Sequence, residues 1–103
     1  MSVYKVVDKN GRKIETDVNL HPGEILADEL AAREISQKDF SKLIKLQAPH
    51  LNDLLKGKRH FSARIALKLE KLLGIDADYW LRVQIAFDLF EARKAMKKEL
   101  LED

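Results

Sequence analysis

The 103-residue sequence contains no cysteine. That excludes disulfides, thiol catalysis and cysteine-ligated zinc, and it accords with a reducing compartment. No apolar run approaches the roughly 20 residues of a membrane span. The first residues also lack the basic-then-apolar pattern of a signal peptide. These absences imply a cytoplasmic protein with no membrane partner. There is no long linker, low-complexity segment or internal repeat, and no Gly-rich phosphate loop. The three histidines, His21, His50 and His60, have no carboxylate at zinc-ligand spacing, and Ser41 and Ser62 lack the context of a catalytic triad. An enzyme is therefore the weakest reading, and no cofactor or metal is expected.

What is present describes a mostly helical globule: 46% hydrophobic and 35% charged residues in a length that fits one domain. The formal net charge of +2 hides an uneven distribution. Residues 36–64 hold seven Lys or Arg against two Asp or Glu, whereas residues 1–35 hold five against seven. A basic middle third is the electrostatic footprint that a phosphate backbone selects.

Residues 1–19 form an N-terminal arm distinct from a domain over 20–103. Val3–Val7 and Arg12–Thr16 are strand-like, and Asn10-Gly11 suits a two-residue hairpin turn. That turn pairs Asp8 with Lys13, Val7 with Ile14 and Val3 with Val18. A lone hairpin is marginal in water, so it must pack on something. An exposed strand edge there could extend a partner's sheet.

Five helices follow. His21-Pro22-Gly23-Glu24 opens the first, with proline where its missing N–H costs nothing. Ser36 caps the second, with Asp39 at the capping-box position and Phe40, Leu43 and Ile44 as the buried stripe. It ends near Lys45. Pro49 lies in the first turn of the third helix, which buries Leu51 and Leu54 and stops at Gly57 in the left-handed region. Ser62 caps the fourth helix, which ends at Gly74. Asp76 caps the fifth, which runs to about Leu100.

Two short helices joined by a tight turn define a helix-turn-helix, here over about Ser36–Lys56. The second helix of such a motif enters the major groove and presents its N-terminal residues to base edges. With Leu51 and Leu54 facing the core, Gln47, Ala48, His50, Asn52, Asp53 and Lys56 remain available to DNA. Gln47, Ala48 and Asn52 are the candidates for base readout, because Gln and Asn pair bidentately with adenine and Ala touches a thymine methyl. Gln37 and Lys38, at a helix N-terminus, are candidates for phosphate contact. Lys56, Lys58 and Arg59 form a second phosphate clamp around Gly57.

From Tyr79 to Ala92 ten of fourteen residues are apolar, more than one core face needs. Trp80, Val83, Phe87 and Phe90 make one stripe. Leu81, Ile85 and Leu89 make another, which requires a dimer or partner interface.

The residues Ser36-Gln37-Lys38-Asp39-Phe40, Leu54-Leu55-Lys56-Gly57-Lys58-Arg59 and Ser62 resemble the phage-repressor (Cro/C1, XRE) type of helix-turn-helix. His21-Pro22-Gly23-Glu24-Ile25-Leu26 before them narrows the resemblance, as do Tyr79-Trp80-Leu81, Gln84, Phe87-Asp88-Leu89 and Glu91-Ala92 after them. Together, over about residues 21–94, the blocks are similar to the HigA-type antitoxins, also called virulence-associated protein I or addiction-module antidotes. The resemblance implies a mainly α, five-helix DNA-binding domain, a homodimer, a palindromic double-stranded operator and repression of the protein's own operon. It also implies a cognate toxin similar to the mRNA-cleaving HigB proteins, and a bacterial cytoplasmic location on the nucleoid when DNA is bound. A stand-alone repressor is the alternative, as is a helix-turn-helix that has lost DNA and binds only protein. The sequence departs from that pattern at three places. Lys45 stands where the turn usually carries glycine, Gln47 replaces the usual Ser or Thr cap, and Pro49 occupies a position that often reads DNA.

Overall fold

A computed structural model describes residues 20–102 together with Val6–Val7 and Lys13–Ile14. The two short strands, β1 (Val6–Val7) and β2 (Lys13–Ile14), pair antiparallel. Val6 faces Ile14 and Val7 faces Lys13, one residue out of step with the expected register. An antiparallel ladder has one register, so the Val7–Lys13 pair excludes the expected Asp8–Lys13 and Val7–Ile14 pairs. Asn10-Gly11 and the Val3–Val18 pair lie outside the described residues.

Five helices build the domain: α1 (Pro22–Ala32), α2 (Gln37–Ile44), α3 (Ala48–Leu55), α4 (Ala63–Leu73) and α5 (Ala77–Glu102). The start of α1 is the most completely capped. His21 Nδ1 accepts the Gly23 N–H at 3.0 Å, and the Glu24 carboxylate accepts the His21 N–H at 3.4 Å. This reciprocal capping box sits at His21 rather than at Ser36. Ser36 Oγ does accept the Asp39 N–H at 3.0 Å, and Ser62 Oγ accepts that of Ile65 at 3.2 Å. The N–H of Ala77 at the start of α5 is satisfied by Glu70, whose carboxylate reaches over from α4 at 3.0 Å. Asp76 contributes its backbone carbonyl there, to Tyr79 and Trp80.

The helix ends explain the scarcity of glycine. Gly57 and Gly74 take positive φ, as expected of helix-terminating glycines, but so do Glu34 (φ 58°) and Lys45 (φ 60°). After α1 the Ile35 N–H reaches back to Leu30 O at 2.9 Å and the Glu34 N–H to Ala31 O at 3.1 Å, a Schellman closure around a glutamate. Long cationic side chains tie other ends together. Arg33 donates to Leu73 O at 3.1 Å at the end of α4, and Lys68 Nζ to Ile44 O at 3.1 Å at the end of α2. Both place positive charge against the negative end of a helix dipole.

One core joins all five helices, with Leu26, Phe40, Leu51, Leu54, Leu69 and Trp80 fully buried. Burying each such side chain is worth about 1.5–3 kcal/mol, so this cluster supplies the main driving force for folding. Leu43 does not join Phe40 and Ile44 in it and is 54% exposed. One residue before Ile44 it lies about 100° round the helix, past the edge of an eight-residue helix that buries one residue per turn.

The buried face of α5 also differs from expectation. Trp80 is buried, but the next buried position is Gln84, while Val83, Phe87 and Phe90 are half-buried. Gln84 is tolerated because both ends of its amide are used. Its Oε1 accepts the Phe61 N–H at 2.8 Å and its Nε2 donates to Asp88 Oδ1 at 3.0 Å. Gln84 thereby fixes the segment between α3 and α4 against α5.

His21 lies beneath this segment, with its ring edge-on to Phe61 and Phe87 at 5.9 and 4.8 Å between centroids. Burial lowers its pKa below the ordinary 6.5; His60 lowers it further, while Asp88 and Glu24 oppose the shift. The folded state therefore prefers neutral His21, which is also the form whose Nδ1 can accept the Gly23 N–H. Its contribution to stability is fully present above about pH 6.5 and is lost as pH falls from there through the folded pKa. Denaturant unfolding at pH 7.5 and pH 5 should show this loss, and His21→Asn, which keeps a capping acceptor but does not titrate, should flatten it. An equal pH dependence in the variant would contradict the assignment.

Candidate nucleic-acid interface

The turn between α2 and α3 consists of Lys45, Leu46 and Gln47. Lys45 is left-handed (φ 60°, ψ 48°), Leu46 is half-buried and returns its N–H to Ser41 O at 3.1 Å, and Gln47 is extended (φ −64°, ψ 146°). A left-handed non-glycine costs about 1 kcal/mol. Lys45→Gly should therefore raise stability by somewhat less than that, because glycine also loosens the unfolded chain. Chemical denaturation would show it as a higher midpoint at unchanged m-value, and a lower midpoint would contradict the backbone reading.

Gln47 begins α3 without a side-chain cap, so its amide is not committed to the helix end. Gln47, Ala48 and Pro49 are exposed, and the first two line an open cleft of about 570 Å³ with Ser41, Lys42, Lys45 and His50. Pro49 stands in the first turn of α3, where no N–H is needed. One turn on, Asn52 is half-buried and its Oδ1 accepts from Gln37 Nε2 at 3.3 Å. The first residue of α2 is thus tied to the middle of α3, linking a candidate phosphate ligand to a candidate base reader. Asn52 keeps its amide donors and a second lone pair for DNA.

The end of α3 is a Schellman motif. The Lys58 N–H reaches Asp53 O at 2.8 Å and the Gly57 N–H reaches Leu54 O at 3.3 Å, with Gly57 at φ 77°. A Cβ on Gly57 would stand 3.4 Å from the His21 ring, so the cap of α1 and the end of α3 are packed on each other. Lys56, Lys58 and Arg59 all project to solvent from this short segment. Arg59 is not wholly free, because its Nε lies 3.5 Å from Asp53 Oδ2. Arg59, expected among the phosphate ligands, is thus partly engaged by a carboxylate six residues before it, a pairing that only the geometry of the glycine turn brings about. Lys38 is exposed at the start of α2, as a phosphate ligand would be.

The C-terminal stripe divides. Leu81 is partly buried against the core, while Ile85 (57%) and Leu89 (45%) are exposed. Beyond them residues 91–99 are all exposed, including Met96. Among the described residues no group of three or more His, Asp or Glu is placed to hold a metal ion, and no helix is long and apolar enough to cross a membrane.

A short helix, a tight left-handed turn and a second helix with an uncommitted N-terminal face, set in a five-helix domain, define a helix-turn-helix DNA-binding module. The helix-turn-helix family profile matches residues 26–80. Virulence-associated protein I of Dichelobacter nodosus is 35% identical over 71 residues, which cover 68% of this chain and 66% of that protein. Among solved structures, an antidote protein of a plasmid maintenance system from Nostoc punctiforme superposes with a TM-score of 0.77 at 30% identity, covering 81% of this chain and 91% of that one. The Pseudomonas aeruginosa antitoxin HigA, solved with the higBA promoter, superposes with a TM-score of 0.74 at 32% identity, covering 82% and 94%. The chain belongs to the helix-turn-helix family, and the solved structures it resembles include HigA-type antitoxins. That family comprises DNA-binding regulators and antitoxins, not enzymes.

Proposed function

We propose that this protein is the operator-binding antitoxin of a toxin–antitoxin module. In this reading it represses its own operon as a homodimer in the bacterial cytoplasm and neutralises a HigB-like, mRNA-cleaving toxin. The observation that carries the DNA half is the Gln37–Asn52 hydrogen bond, which orders the α2 N-terminus and the exposed side of α3 as one surface. Gln47, Ala48 and Asn52 read bases. Gln37, Lys38, Lys56, Lys58 and Arg59 hold phosphates.

The dimer reading rests on α5. Ile85, Leu89, Ala92 and Met96 recur at spacings of four, three and four, the pattern of a helix-to-helix seam. Ile85, Leu89 and Met96 are 57%, 45% and 58% exposed in the single chain. Leu81 closes the end of that seam nearest the core. A two-fold dimer places two α3 helices about one turn of DNA apart, which is why a palindromic operator is expected. The support for the toxin is the likeness to antitoxins. We assign the arm, residues 1–19, to toxin contact and residues 20–103 to DNA binding and dimerisation.

The test is co-expression with the small open reading frame beside this gene. That neighbour should arrest growth, and this protein should restore it and co-purify with the neighbour, more weakly when residues 1–19 are deleted. A neighbour that is harmless, or toxic without rescue, would leave a stand-alone repressor.

A further inference from the structure

The exposed side of α3 carries one acidic side chain. Of the residues there that do not pack into the core, namely Ala48, Pro49, His50, Asn52, Asp53 and Lys56, only Asp53 is anionic. Its carboxylate stands 3.5 Å from Arg59 Nε, with both side chains open to solvent. An exposed ion pair adds little to stability, so folding gives no reason for a carboxylate at this place.

A carboxylate on a surface that meets a polyanion is repelled by every phosphate and by most base edges. In the major groove guanine presents only acceptors, thymine presents an acceptor and a methyl group, and adenine sets an acceptor beside its donor. Cytosine alone offers an amino group without a neighbouring acceptor. We propose that Asp53 is a specificity-determining residue of the operator contact, accepting a hydrogen bond from the N4 amino group of a cytosine while Arg59 offsets its charge. The proposal rests on the DNA-binding reading above. Arg59 suits the second role because it is engaged through Nε, which leaves both terminal amino groups for a phosphate. It also lines a cleft of about 410 Å³ together with His50, His60, Ser62, Arg64 and Lys68, so the charge beside Asp53 is backed by further cations.

Asp53→Asn keeps the shape of the side chain and removes its charge. The full chain and this variant would each be used to select from a randomised duplex library, and the selected sites titrated with salt. Wild type should enrich a site with a fixed C·G pair in each half. The variant should lose that preference by about tenfold, the scale of one base contact. It should also bind non-specific duplex more tightly, with a log–log salt slope steeper by about one per protomer, because the lost carboxylate no longer offsets one of the cations that face the phosphates. Enrichment of the same site with the same slope by both proteins would overturn the assignment of Asp53 and leave DNA binding intact. A wild-type chain that enriches no duplex would overturn the DNA-binding reading itself, and this proposal with it.

Discussion

Gly23→Ala is expected to lower the melting temperature by roughly 15 °C, the equivalent of about 3 kcal/mol in a domain of this size. Gly23 is the second residue of α1 and is buried. A Cβ there would collide with the carbonyl oxygen of Leu54 and stand 2.9 Å from that of Leu55. Both are backbone atoms in the last turn of α3, and the Leu54 carbonyl is already held by the Gly57 N–H of the Schellman motif. Neither can rotate aside as a side chain tip could, so α1 must withdraw from α3. Withdrawal would also lift His21 from Gly57 and from its contacts with Phe61 and Phe87. Gly74→Ala is the control. Gly74 has a positive φ of 74° but nothing within 4 Å of a built Cβ, so its replacement should cost only the backbone strain, about 1 kcal/mol. Equal melting temperatures for the two variants would mean that α1 and α3 do not approach as described.

The second large effect concerns salt. A dimer that contacts about 8 phosphates should show a log–log slope near −7, so raising salt from about 50 to 200 mM should weaken binding roughly ten-thousand-fold. Lys56→Ala combined with Lys58→Ala removes two exposed cations from each protomer without touching the core. Four lost contacts per dimer should bring the slope to about −3.5, and the same change in salt should then weaken binding only about a hundredfold. Thermal stability should be nearly unchanged, since both side chains are exposed and neither forms an ion pair among the described residues. An unchanged slope would make these lysines ordinary solvated surface.

Much of this molecule follows from patterns within a few residues. The caps Ser36 and Ser62, Pro49 in a first turn and the glycines ending α3 and α4 are local signals, and α2, α3 and α4 begin and end where those signals stand. The left-handed Lys45 was legible too, as a residue standing where glycine is usual. What escaped depends on partners distant in sequence. Glu70 caps α5 from across a turn, Gln84 is buried because Phe61 and Asp88 satisfy it, and Gly23 is required by a helix some thirty residues on. Periodicity alone made Leu43 and Val83 look like core positions, because it marks a face of a helix without showing how wide the contact is. The Asp53–Arg59 pair spans a glycine turn whose geometry must be known before the two charges can be seen to meet.

Whether α2 and α3 form one DNA-reading surface is tested by binding of the duplex upstream of this gene to wild type, Gln37→Ala and Asn52→Ala. Wild type should bind with a salt slope near −7. Gln37→Ala should weaken binding to all duplexes alike, and Asn52→Ala should in addition relax the preference for that site. Binding that neither substitution alters would mean that α2 and α3 do not read DNA as one surface.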